Sequence, residues 1–131
     1  MSKTQLSDLQ TLVMNVLWER GEATVSEVRD ALSEERDLAP TTVGTVLSRL
    51  EDKGVVAHRS EGRQYVYRPE VSRRDVRASM VDALVEKLFQ GDSAELVDHL
   101  LRESEIDGEE LSRLERLVEQ ARNRDKTDES D

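Results

Sequence analysis

The sequence predicts a mainly α-helical chain with one small β-hairpin, an α+β fold, and three observations carry that prediction. Two capping boxes open apolar stripes of helical period, at Ser7 and at Thr24. A third amphipathic stretch starts at Pro40. The apolar period then changes from 3.6 to 2 between Val55 and Arg68, before helical spacing returns.

In Ser7-Asp8-Leu9-Gln10 the hydroxyl and the Gln side chain satisfy the first orphan amides of a helix. Leu9, Val13, Val16 and Leu17 follow at helical spacing with Trp18 beside them, and Gly21 offers a left-handed stop. Thr24-Val25-Ser26-Glu27 repeats the box, and Val25, Val28, Ala31 and Leu32 carry a second stripe to about Glu35. After a loop through Asp37 and Leu38, Pro40 opens a third helix, where its fixed φ and missing donor do no harm; Gly54 ends it. Val55–Arg59 and Arg63–Arg68 are β-branched and aromatic runs around Ser60-Glu61-Gly62, the composition of a hairpin. Two capped helices, a third helix and a hairpin make a winged helix-turn-helix, expected over residues 1–71.

Pro69 breaks the strand, and Ser72-Arg73-Arg74-Asp75 caps a helix whose apolar set is Val76, Met80, Ala83, Leu84 and Leu88, closed by Gly91. A short helix holding Leu96, Val97, Leu100 and Leu101 precedes a third capping signature, Asp107-Gly108-Glu109-Glu110. Leu111, Leu114, Leu117, Val118 and Ala121 then run to about Arg122. Three short amphipathic helices make a poor core on their own, and modules below about 70 residues usually need a partner. Residues 72–124 are therefore expected to be a three-helix dimerisation domain with Val76, Met80, Leu84, Leu88, Leu100, Leu114 and Val118 at the interface of a homodimer. Residues 125–131 are polar throughout, the composition of a disordered acidic tail.

The 131 residues carry a net charge of −10, unfavourable at first sight for a nucleic-acid partner, whose phosphates supply most of the affinity. The acid is unevenly spread. Residues 1–70 hold 9 Lys/Arg and 12 Asp/Glu, whereas residues 71–131 hold 10 and 17. Within residues 40–68 the balance reverses: Arg49, Lys53, Arg59, Arg63 and Arg68 outnumber Glu51, Asp52 and Glu61, with His58 a further donor.

The third helix lies inside that basic window. At about 100° per residue, Val43, Val46, Leu47 and Leu50 fall on one arc, the stripe a surface helix turns to its core. Thr41, Thr45 and Ser48 sit opposite, flanked by Thr42 and Arg49, with Gly44 among them and no bulky charged side chain covering the face. Small hydroxyl residues allow close approach to base edges and offer methyls to thymine, and Arg forks onto guanine or phosphate. The same face also suits a Thr-rich helix with nothing bound. On the hairpin, Arg63 and Arg68 are placed to grip phosphate or minor groove, while Tyr65 and Tyr67 fit either that surface or packing on the helices.

Several strings, Val16-Leu17-Trp18, Thr41-Thr42-Val43-Gly44-Thr45-Val46-Leu47-Ser48-Arg49-Leu50, Lys53-Gly54 and Glu61-Gly62-Arg63-Gln64-Tyr65-Val66-Tyr67, together with the order of elements, resemble the penicillinase-repressor family of the BlaI/MecI/CopY type. The resemblance covers roughly residues 5–122 and is sharpest in the first 70. It implies a homodimer of winged-helix domains on a double-stranded palindromic operator with TACA/TGTA-like half-sites, repressing transcription by occlusion. Residue by residue, it places Thr41, Thr42, Gly44, Thr45, Ser48 and Arg49 on the base-facing side of the recognition helix and Arg63 with Tyr67 on the wing. The chain departs from the family pattern twice. Gly44 stands where several members have a longer, often basic side chain. The region matching the Asn-Phe bond that a membrane metalloprotease sensor cuts in penicillinase repressors reads Asp98-His99-Leu100-Leu101. With no cysteine, the Cys-x-Cys copper response of other members is excluded. Regulated genes and inducer stay open.

No other chemistry competes. His58 and His99 are the only histidines and lack the thiolate company of a transition-metal set, so no metal or other cofactor is expected. Glu34-Glu35 and Glu109-Glu110 suit solvated faces and helix starts. No phosphate loop, nucleophile triad or zinc-protease motif is present, which argues against an enzyme. No apolar run approaches the ~18 to 20 residues of a membrane span, so no membrane insertion and a cytoplasmic location are expected. The competing reading is a winged-helix module that uses the Thr face for a protein partner, favoured by the overall −10 charge and by Asp52.

Overall fold

The capping residues decide where the helices begin. The computed structural model describes residues 4–129. In α1 (Asp8–Arg20) the Ser7 hydroxyl accepts from the Gln10 amide at 3.2 Å, while the Gln10 side chain accepts from the Ser7 amide at 3.0 Å. Thr24 and Glu27 do the same for α2 (Val25–Leu32), at 3.2 and 2.9 Å. The two backbone and side-chain bonds from Thr24 hold the Glu27 carboxyl below its usual range. α2 stops at Leu32, a few residues short of the Glu35 that the apolar pattern allows. α3 (Pro40–Asp52) has no side-chain cap; Pro40 at its first position removes one of the amides that would need one.

The sheet has one strand more than the hairpin. β2 (Val56–Glu61) and β3 (Gln64–Pro69) pair antiparallel with Glu61 opposite Gln64, which leaves Gly62-Arg63 as a two-residue turn. Gly62 takes φ 63°, a conformation such tight turns need and a side chain opposes. β1 (Ala23–Thr24) lies on the other side of β3, giving the order β1-β3-β2 with Ala23 opposite Tyr67. The result is a winged helix: three helices, with α2 and α3 forming the helix-turn-helix, closed by a small three-stranded sheet.

The core is aliphatic, as the composition requires. Val13, Met14 and Leu17 of α1, Val28 of α2, and Val43, Leu47 and Leu50 of α3 are fully buried. Val76, expected at the dimer interface, instead completes this core at 3% exposure, and Met80 packs against it. α4 (Arg73–Phe89) thus shares the first compact unit, which runs through Leu88, although its apolar pattern groups it with the helices that follow. Trp18 explains the attachment: its indole N–H donates to the Val71 carbonyl at 2.9 Å, and the Arg73 guanidinium lies 5.5 Å from the ring centroid. Gln5 adds a second tie, donating to Ser79 Oγ at 2.9 Å.

The second unit starts at Phe89 and contains α5 (Ser93–Glu103) and α6 (Gly108–Glu129). Asp92 caps α5 and Asp107 accepts from the Glu110 amide at 2.8 Å at the start of α6. α6 continues through the segment expected to be a disordered tail, to Glu129; Lys126 in its last turn complements the helix dipole. Residues 130 and 131 lie outside the described residues. No residue of α5 is buried.

Candidate nucleic-acid interface

α3 presents the face that its sequence implies. Burial of Val43, Leu47 and Leu50 turns the opposite side outward, and Thr41, Thr42, Thr45, Ser48 and Arg49 are all exposed, with Gly44 half-exposed between them. The Thr45 hydroxyl donates to the Thr41 carbonyl at 2.9 Å, so its hydrogen is committed to the helix while its lone pairs and methyl stay available. A Cβ built on Gly44 meets nothing within 4 Å. Neither packing nor a left-handed backbone requires glycine there, so the residue costs helix stability without an internal return.

Pairing sorts the basic residues of this region. Arg59 donates to Glu22 and, at 3.0 Å, to Glu61, which raises its pKa and holds the Glu22 carboxyl below its usual range. Arg68 pairs with Glu70 at 3.2 Å, and the Lys53 ammonium donates to the Gln5 carbonyl. Among the described residues, the side chains of Arg49 and Arg63 have no such partner. Arg49 stands on the outer side of α3 and Arg63 at the tip of the hairpin, so the cations left available are those on the two projecting elements of the winged helix.

The wing tyrosines divide differently from the family-based assignment. Tyr67, placed there on the DNA-contacting surface, is 5% exposed and belongs to the core, and burial together with the nearby Glu51 carboxylate pushes its phenol pKa up. Tyr65 is the exposed one, stacked on the His58 ring with centroids 4.1 Å apart. Of the residues expected at a dimer interface, Leu84, Leu88, Leu100 and Val118 are exposed, Leu114 is half-buried, and Val76 is taken by the core. Among the described residues, no group of three or more His, Cys, Asp or Glu is placed to hold a metal, and no helix is long and apolar enough to cross a membrane.

Residues 6–120 match the sequence model of the family described as Penicillinase repressor. The chain belongs to the penicillinase repressor family. It is 31% identical over 122 residues to the penicillinase repressor of Bacillus licheniformis, covering 93% of this chain and 95% of that one. To the transcriptional regulator BlaI of Mycobacterium tuberculosis it is 42% identical over 100 residues, covering 75% and 72% of the two chains. The solution structure of the DNA-binding domain of the repressor BlaI matches with a TM-score of 0.51 at 37% identity, over 57% of this chain and 93% of that domain. Penicillinase repressor membership and the winged helix thus agree, and the domain shared with BlaI is the one that carries α3 and the wing.

Proposed function

We propose that the chain represses transcription in the cytoplasm as a homodimer, laying α3 of each copy in the major groove of a palindromic operator with TACA/TGTA-like half-sites and occluding the promoter. The observation that carries this reading is the outer face of α3. Its small hydroxyl side chains are exposed, and Arg49 beside them and Arg63 on the wing have no ion-pair partner among the described residues. The base contacts fall to Thr41, Thr42, Thr45, Ser48 and Arg49, with Gly44 allowing close approach, and the phosphate contact to Arg63.

Dimerisation is supported by the second unit, where Val97, Leu100, Leu101, Leu117 and Val118 are between 44% and 53% exposed. Apolar surface on that scale is stabilised by a second copy of the same helices. The resemblance makes a membrane metalloprotease sensor a candidate partner for relief of repression, but Asp98-His99-Leu100-Leu101 holds no Asn-Phe bond, so whether proteolysis relieves repression stays open. No catalytic role is proposed.

Asp52, exposed in the last turn of α3, favours a protein partner for the same face, because a carboxylate facing phosphate is unfavourable. Helix-turn-helix proteins contact bases mainly through the first turns of the helix, which here carry no acid. A gel shift with the DNA upstream of the chain's own gene decides between the two. A retarded, competitor-resistant complex supports the repressor, and failure to shift supports the protein-binding reading.

A further inference from the structure

His58 is a titratable side chain of the first unit that lies outside both the core and the outer face of α3. It lies in β2, and its Nδ1 donates to both carboxylate oxygens of Glu51, at 2.6 and 2.9 Å. Glu51 belongs to the last turns of α3. The His58 ring stacks on Tyr65 of β3, with the planes 24° apart, and the Tyr67 ring, directly across the β2–β3 ladder, is 5.5 Å away. One imidazole therefore joins the helix proposed to read bases to both strands of the hairpin proposed to grip phosphate.

We propose that His58 is a positioning residue for DNA binding. By bridging Glu51 of α3 to the wing it fixes the angle between hairpin and helix. This rests on the DNA-binding reading above. The groups facing the imidazole are Glu51 from α3 and the phenols of Tyr65 and Tyr67 from β3; its neighbour on β2, Arg59, is already engaged by Glu22 and Glu61. The pair is partly exposed, with side-chain exposures of 28% and 34%. Ion pairs so placed add little to stability, so the contribution of this one is orientation.

The test uses the full chain and a duplex that the wild type selects from a random library. His58→Phe keeps the ring on Tyr65 and removes Nδ1, whereas His58→Asn keeps a donor near the Nδ1 position and removes the ring. The expected result is about tenfold weaker binding by His58→Phe with a little-changed melting temperature, and affinity within about threefold of wild type for His58→Asn. Rescue by the Asn donor, with the melting temperature as a control, separates positioning by the Glu51 bond from a merely structural role of the ring. Undiminished affinity in His58→Phe overturns the proposal, as does binding by His58→Asn as weak as that of His58→Phe. If the wild type selects no duplex at all, the DNA-binding reading itself fails, and this proposal with it.

Discussion

Replacing Gly44 with alanine separates two demands on α3 that the wild-type residue sets against each other. Inside a helix, glycine is less favourable than alanine by about 1 kcal/mol, through backbone entropy alone. At Gly44 nothing offsets that gain, because an added Cβ meets no atom within 4 Å. For a cooperative unit of 60 to 100 residues, 1 kcal/mol corresponds to a rise in melting temperature of about 4–8 °C. Circular dichroism melts of Gly44→Ala and wild type measure it. The same methyl, however, stands on the exposed face between Thr41 and Ser48. Against a closely packed base edge, an extra methyl costs about 1–3 kcal/mol, a roughly fivefold or greater loss of affinity. A more stable protein that binds operator less well is the expected combination. An unchanged or lower melting temperature would refute the helix argument, and a stabilised variant with undiminished binding would place some other surface against the DNA.

Arg49→Ala should cost about 1–3 kcal/mol on the preferred duplex and relax discrimination at one base position. Arg63→Ala should instead weaken all duplexes alike and lower the salt slope by about 1, and titrations at several salt concentrations tell the two apart. Tyr67 gives a pH dependence. Its phenol pKa is raised in the folded protein, so above about pH 10 the unfolded chain loses this proton first and stability falls as pH rises toward the folded value. Urea melts at alkaline pH against Tyr67→Phe, which lacks the proton, should show the shallower decline in the variant. Leu100→Glu, in exposed surface of α5, should leave the first unit's melting intact and halve the mass seen by light scattering at micromolar concentration.

The features legible in the sequence are those written in local chemistry. Ser7 with Gln10 and Thr24 with Glu27 announce two helix starts because a capping box needs only residues three apart, and Gly62 marks the turn because its backbone is left-handed. β1 escapes because two residues carry no period, and one of them, Thr24, already serves as a cap. Tyr65 and Tyr67 share one face of β3 by alternation, which does not reveal how far the core extends along the strand. Tyr67 is covered at the base, paired with Ala23 and His58, while Tyr65 stays exposed nearer the tip. The covering of Val76 is hidden for a related reason: the apolar stripe of α4 is continuous, but only its first turns and Val85 are covered in this unit, and the Trp18–Val71 bond that decides this spans 53 residues. Five basic residues are legible in the sequence, but not that Glu22, Glu61, Glu70 and the Gln5 carbonyl occupy three of them, because those partners, Glu61 apart, lie outside the basic run.

The central claim, that the Thr face of α3 reads a base sequence, is tested most directly by fluorescence anisotropy of the full chain on two duplexes of equal length. One carries the TACA/TGTA palindrome and the other the same bases scrambled, both at moderate salt. Tighter binding of the palindrome by at least about a thousandfold, the lower end for specific sites, is predicted. Equal affinity for the two would contradict it.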